Sequence, residues 1–275
     1  MSVQERSDLA GARRVVVKVG SSSISGENAH KIEPIVEALA AAHARGTEIV
    51  LVSSGAIATG MPYLALDERP NDLATQQAAA AVGQNVLIYR YQESLRPFAI
   101  VAGQVLLTAG DLENPTHRSN ARRAMERLLG LRILPIVNEN DTVATQEIRF
   151  GDNDRLAALV AQLIGADALV LLSDIASLYT RPPSEPGAQP IDRVDPDEDL
   201  SRFEFGSVVV NSVGTGGAAT KASAARLASS AGIGVLVTSA DLVAEALTGQ
   251  QVGTWFAPRA GVTPPIGTAP VRTSA

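Results

Sequence analysis

Apolar residues recur along this chain in two alternating rhythms. Short, near-continuous runs of Val, Ile and Leu are followed by stretches in which apolar residues return every three or four positions. "RRVVVKVG" (13–20) is a run of the first kind, β-branched and closed by Gly, and predicts a buried parallel-type strand. After a Ser-rich loop, Ile32, Ile35, Val36 and Leu39 fall at i, i+3, i+4 and i+7, one face of a helix that Gly46 ends. "EIVLVSSGA" repeats the pattern of strand into small-residue loop. Residues 72–95 read as a long Ala-rich helix, "AIVAGQVLLT" as a strand, 118–130 as a helix and "RILPIVNEN" as a strand. Residues 153–164 predict a second clear helix, with Leu156, Leu159, Val160, Leu163 and Ile164 on one face, and "DALVLLSD" another buried strand. Residues 180–199 carry five prolines and many acids, and read as a loop or an insertion rather than a packed element. The pattern resumes with "SVVVNSVGTGG", a helix over 217–231, the strand "GVLVTS", a short helix and a last strand near Trp255. Residues 258–275, rich in Pro, Gly and Thr, read as a mobile tail. Such alternation predicts an α/β fold, a three-layer α/β/α sandwich around a mostly parallel sheet.

Composition narrows the chemistry. With 45% hydrophobic and 4% aromatic residues in 275, the core must be aliphatic. The net charge is -6 and no basic block occurs, so neither nucleic acid nor an anionic membrane is an expected partner. Cysteine is absent, which removes disulfides, thiolate catalysis and Cys-type zinc sites together. His30, His43 and His117 are far apart and outside any H-E-x-x-H pattern, so a zinc enzyme is not expected. The first twelve residues lack an apolar run, and Leu156–Leu172 is interrupted by Gln162, Gly165 and Asp167. No secretory signal or membrane span is expected, and the expected location is cytoplasmic.

Ligands of open α/β sheets sit beyond the carboxyl ends of the strands. Four predicted strands end in small or polar clusters: Lys18 to Ser22, Ser53 to Ala56, Asn138 to Asp141, and Ser173-Asp174. These clusters should converge on one edge. A fifth piece, "GTGGAATK" (214–221), is a Gly-rich turn running into a helix that carries Lys221. Helix N-terminal amides attract anions. The stretch is not a P-loop, but Gly214, Gly216 and Ala219 fit a loose G-x-G-x-x-A, with Asp241 closing a strand 22 residues later, so a dinucleotide-binding reading stays open. Lys18, inside an apolar strand, either snorkels to water or needs an anionic partner. The sharper reading sets Lys18 and Lys221 around a transferring phosphoryl group, with Asp154 holding both.

"VNENDTVATQEIRFGDND" (137–154) packs Glu139, Asp141, Glu147, Asp152 and Asp154 into eighteen residues, with Arg149 as counter-charge. It is not an EF-hand, because Leu156 takes a ligand position and the turn glycine is missing. Asp152 suits a helix cap. Acids and amides directly after the buried run "ILPIV" suit the ammonium of a zwitterion, with Ser54 and nearby N–H groups for its carboxylate. Mg²⁺ arriving on ATP phosphates is compatible with this and needs few protein ligands; no protein-side-chain metal site is expected.

These residues carry a resemblance. "VVVKVGSSS", "VSSGAIATG", "QQAAAAVGQ", "GQVLLTAGD", "IVNENDTVATQEIRFGDND", "ALVLLSDIASLYT" and "GTGGAATK" occur in the order found in glutamate 5-kinases, members of the amino acid kinase superfamily. The resemblance implies ATP-dependent phosphorylation of the L-glutamate side-chain carboxylate to L-glutamyl 5-phosphate, the first step of proline biosynthesis. It implies that Lys18 and Lys221 contact the phosphates and that Asp154 organises them. Ser54, Asn138, Asp141 and Asn153 would bind glutamate. Lys18, Ser173, Asp174, Thr215, Gly216, Gly217, Ala218, Ala219, Thr220 and Lys221 would bind ATP. Mg²⁺, feedback inhibition by L-proline and a homo-oligomer, dimer or tetramer, are implied too. The kinase domain would span 1–257, with glutamate mainly on 13–165 and nucleotide mainly on 166–257. Three departures stand out: Ala218 replaces the family's usual Met, "ASLYT" (176–180) replaces "DGLYT", and Pro182-Pro183 replaces "DPR". The RNA-binding-type PUA domain common after the kinase domain is expected to be absent. Rival readings are another kinase of the superfamily and a non-catalytic ligand sensor on the same fold.

Overall fold

The computed structural model describes residues 3–24, 26–144, 153–205 and 217–262. The apolar runs form strands β1 (Arg14–Lys18), β2 (Glu48–Val52), β3 (Ala102–Leu107), β4 (Leu134–Glu139), β5 (Ala168–Ser173), β6 (Arg193–Val194), β7 (Gly234–Ser239) and β8 (Thr254–Phe256). They join one sheet in the order β3-β4-β2-β1-β5-β7-β8-β6. All pairings are parallel except β7 with β8. The helices are α1 (Ile32–Ala44), α2 (Ala56–Gly60), α3 (Leu73–Leu95), α4 (Ala109–Glu113), α5 (Pro115–Gly130), α6 (Asn153–Ile164), α7 (Ala218–Ser229) and α8 (Val243–Leu247).

The three-layer expectation holds, and β1 shows why its sequence is apolar throughout. Successive strand residues point to opposite faces. Val15 and Val17 join Ile35, Leu39, Leu87 and Val243 in one core, while Val16 joins Leu129, Leu156, Val160 and Ala225 in the other. A strand covered on both sides has no face to leave polar.

Two boundaries differ from the sequence reading. Helix α5 starts at Pro115 rather than 118, because Asn114 accepts from the Thr116 and His117 N–H groups and Pro suits the first helical turn. The Pro-rich stretch is not wholly unpacked. Ile191 and Val194 are buried, and β6 pairs in parallel with β8 at the sheet edge. The prolines flank Ile191–Asp195 without entering it, and an edge strand tolerates them as neighbours. The stretch 207–216 and the tail from 263 lie outside the described residues; before that tail, the Arg259 N–H donates to Ser229 O at 2.8 Å.

The chain runs outward from β1 through β2 to β3, returns to β4, then crosses to β5 on the other flank of β1. The winding reverses at the β1–β5 boundary, the usual place for a ligand in such sheets. Helix α2 packs against α3 at unusually close range. A Cβ at Gly60 would lie 1.9 Å from Ala79 O, and one at Gly83 would lie 1.8 Å from Ala56 O. That contact fixes the loop ahead of α2, where Gly55 adopts φ 91°. Among the described residues no helix is long and apolar enough to cross a membrane.

Candidate active site

The carboxyl ends of β1, β2, β4, β5 and β7 share one edge, and the N-termini of α6 and α7 open onto it. Lys18 is the last residue of β1 and, two residues beyond Val16, faces the α6–α7 layer. Asp154 is the second residue of α6 and is fully buried. Lys221 lies in the first turn of α7. The Lys18 Nζ sits 2.5 Å from Asp154 Oδ1, and the Lys221 Nζ sits 3.1 Å from Oδ2. Two ammonium groups far apart in sequence thus share one carboxylate. Burial alone would push the Asp154 carboxyl up, but the Lys18 and Lys221 charges outweigh it and hold its pKa below the ordinary value. The Thr220 hydroxyl, 3.2 Å from Asp154 Oδ2, also accepts from the Gly217 N–H at 3.0 Å and so caps α7.

The neighbouring half of the site is built around a network of amides. Asn153 opens α6 immediately before Asp154. Its Nδ2 donates to Ser53 O at 2.6 Å and to Asn138 Oδ1 at 2.8 Å. Asn138 Oδ1 also accepts the Glu139 N–H at 2.9 Å, and Asn138 Nδ2 donates to Gln84 Oε1 at 2.6 Å. Ser53 Oγ lies 3.0 Å from the Tyr91 hydroxyl, so α3 contacts this network at two points. Ser54 is half-buried beside Ser53. Half-buried Asp141 follows β4 and lines a cavity of about 230 Å³ together with Gln84, Glu139 and Asn140.

On the opposite flank, Ser173 ends β5, and the exposed Asp174 accepts from Ser23 Oγ at 3.0 Å. Gly217, Ala218, Ala219 and Thr220 lie at or within the first turn of α7. Thr215 and Gly216 lie outside the described residues, as do Gly214, Glu147, Arg149 and Asp152. Of the dinucleotide pattern, Ala219 is helical and Asp241, just past β7, pairs with Lys31 at 3.1 Å. The structure therefore brings Lys18, Lys221 and Asp154 together, and Asn138 together with Asn153. Reading the sequence overlooked Gln84 and Tyr91, and named Ser53 only as part of a strand-end cluster. The signal for Gln84 was its place in "QQAAAAVGQ".

Known proteins resemble this chain in sequence and in fold. Residues 13–239 match the amino acid kinase family. The glutamate 5-kinase of Clavibacter sepedonicus is 71% identical over 94% of this chain and 100% of its own length. That of Leifsonia xyli subsp. xyli is 69% identical over 94% of this chain and 96% of its own length. The chain belongs to the glutamate 5-kinases of the amino acid kinase family. A more distant glutamate 5-kinase, from Salinispora arenicola, is 54% identical over 92% of this chain and 70% of its own length. The fold has a solved counterpart: carbamate kinase from Giardia lamblia bound to AMP-PNP, at 15% identity, superposes with a TM-score of 0.67 over 91% of this chain and 100% of that one.

Two departures from the family pattern can be placed within this frame. Ala218, the first residue of α7, packs against the second core. In "ASLYT", Ala176 O accepts from the Thr238 hydroxyl at 3.2 Å and Leu178 is fully buried, so the segment is held without the missing glycine and acid.

Proposed function

We propose that this site transfers the terminal phosphoryl group of ATP to the side-chain carboxylate of L-glutamate, giving L-glutamyl 5-phosphate and ADP. The observation that carries this reading is the pair of ammonium groups, Lys18 and Lys221, on the single buried carboxylate of Asp154. A carboxylate oxygen of glutamate forms a bond to the terminal phosphorus as the bond from that phosphorus to the bridging oxygen breaks, and ADP departs with the electron pair. No proton moves. A carboxylate is already a nucleophile at neutral pH, so the protein's task is alignment and charge neutralisation. This fits a site rich in lysine and amides and without histidine.

In this reading Lys18 and Lys221 lie along the phosphoryl path and Asp154 fixes their spacing. Asn153 has both amide protons taken by Ser53 O and Asn138 Oδ1, so it offers its oxygen to the ammonium of glutamate. Asp141 supplies a charge of the right sign at the cavity mouth, and Ser54 a hydroxyl. The first turn of α7, with Ser173 and Asp174, receives the nucleotide. Glutamate then lies on the β1–β4 flank and ATP on the β5–β7 flank, with the reaction at their boundary.

Mg²⁺ bound to the nucleotide would neutralise its phosphates. Among the described residues no group of three or more His, Cys, Asp or Glu is placed to hold an ion, and both Asp154 oxygens face ammonium groups, so the phosphates would be its main ligands. L-Proline, also a zwitterion, suits the same amide-and-acid cup as a feedback inhibitor. Exposed Val101, directly before the edge strand β3, and exposed Tyr89 on α3 support self-association.

The test is formation of hydroxamate dependent on both ATP and glutamate. Lys221→Ala should lower kcat by roughly 10²-fold, the scale of a lost electrostatic donor. Turnover near that of the wild type would remove Lys221 from the mechanism.

A further inference from the structure

We infer that Gln84 is a positioning residue for the amino acid substrate and acts only through Asn138. The inference rests on the reading of this half of the site as the glutamate side.

The argument is one of hydrogen-bond polarity. An amide side chain can flip, but a backbone group cannot. Asn138 Oδ1 is fixed by the Glu139 N–H at 2.9 Å, and Asn153 Nδ2 is fixed by Ser53 O at 2.6 Å. Two backbone groups therefore set both asparagines, and the 2.8 Å bond between them agrees with both settings. With its oxygen so committed, Asn138 must direct an N–H toward α3. Asn138 is 1% exposed, so that N–H needs an acceptor. Gln84 Oε1 supplies it at 2.6 Å.

Gln84 can do this because of where α3 lies. Gly83 admits the backbone of α2 at a distance no side chain would allow, and the next residue turns toward β4. Tyr91, two helical turns further along the same face, reaches Ser53 at 3.0 Å. One helix thus braces both strand ends whose backbone and amides orient Asn153.

The inference separates a brace from a direct ligand contact, because Gln84 also lines the 230 Å³ cavity. Gln84→Met keeps length and volume but removes the acceptor; Gln84→Glu keeps the acceptor. Glutamate and ATP KM and kcat are measured for the wild type, both variants, Asn138→Ala and the double variant Gln84→Met/Asn138→Ala. The expected result is an approximately tenfold rise in glutamate KM for Gln84→Met, the scale of one lost hydrogen bond. ATP KM and kcat should stay within about twofold, Gln84→Glu should restore the glutamate KM, and Gln84→Met should add nothing in the Asn138→Ala background. Additive effects in the double variant would overturn the inference in favour of direct contact. An unchanged KM in Gln84→Met, or equal impairment by Met and Glu, would also overturn it. If Asn138→Ala does not fold, the Met and Glu pair decides alone. A wild type without glutamate-dependent turnover would overturn the functional reading and this inference with it, whereas an active wild type with indifferent variants would overturn the inference alone.

Discussion

Two adjacent residues at the start of α6 serve two halves of the site by opposite means. Asp154 is held by charge: two ammonium groups approach its carboxylate from β1 and α7. Asn153 is held by direction: its two N–H groups meet a backbone oxygen and a backbone-anchored amide. Coulomb attraction in a buried setting is strong but loosely directional and depends on protonation. Amide hydrogen bonds are individually weaker, specify orientation and do not titrate. A site that must neutralise a phosphoryl group while telling an ammonium from a carboxylate can use one device for each task. Failure should differ accordingly: the charged half should fail in turnover and acid stability, the amide half in substrate affinity.

The sharpest way to break this comparison is Asp154→Asn. It leaves two ammonium groups buried without their carboxylate, and removing one partner of such a set costs about 3–5 kcal/mol. Urea unfolding should show that loss, and kcat should fall at least as far as in Lys221→Ala. ATP should stabilise the variant more than it stabilises the wild type, because phosphate oxygens would replace the missing charge. An equal ATP effect on both proteins would detach Asp154 from the nucleotide side. The sign with pH follows from the lowered pKa of Asp154. A group whose pKa is depressed by folding contributes stability above its unfolded value of about 4, and that stability is lost as pH falls through the lower native value. Acid titration of the wild type should therefore show a loss that Asp154→Asn lacks.

Gly83→Ala tests the scaffold behind the amide half. Its Cβ would fall 1.8 Å from Ala56 O and 2.5 Å from Gly60 N, and backbone atoms cannot swing aside as side chains can. Helix α2 must move, carrying Ser54 and Gly55 with it. Overpacking of this kind costs about 1–3 kcal/mol. Glutamate KM should rise while ATP KM holds, because α2 and α3 lie on the β2 side of β1. A rise in both KM values would erase the division between the two halves.

Much of the frame could be read from the sequence because it depends on local rules. Strand β1 is apolar at every position but its ends, Asp72 caps α3 at Thr75 N, and Gly46 takes φ 100° after α1. Lys18, Lys221 and Asp154 could also be singled out, since a lysine ending a buried strand and an acid opening an apolar helix each need partners. That they are one another's partners could not be derived from spacing, because the β4-to-β5 crossover and the α7 approach decide it. Their grouping stood as the sharper of two readings of Lys18, and the motif resemblance favoured it. Gln84 escaped for a different reason. On an Ala-rich helix it looks like any half-exposed polar residue, and only the register of β4 against α3 puts Asn138 within its reach. Ile191 and Val194 escaped because nearby prolines hid a two-residue strand.

The smallest expected effect sharpens the comparison most finely. Tyr91 is fully buried, and its hydroxyl lies 3.0 Å from Ser53 Oγ. Burial pushes the phenol pKa upward, and the hydrogen bond to Ser53 offsets only part of that. Tyr91→Phe removes one neutral hydrogen bond and should lower stability by about 1 kcal/mol in urea at neutral pH. Because folding raises the phenol pKa, its contribution is complete below the unfolded value of about 10 and declines as pH rises beyond it. The deficit of the Phe variant should therefore shrink in alkali, whereas that of Asp154→Asn should shrink only in acid. Turnover at saturating substrates should be unchanged in Tyr91→Phe, since the hydroxyl reaches Asn153 only through Ser53. A fall in kcat comparable with that of a lysine variant would mean that the amide half does more than orient, and that the two halves of α6's first turn work as one.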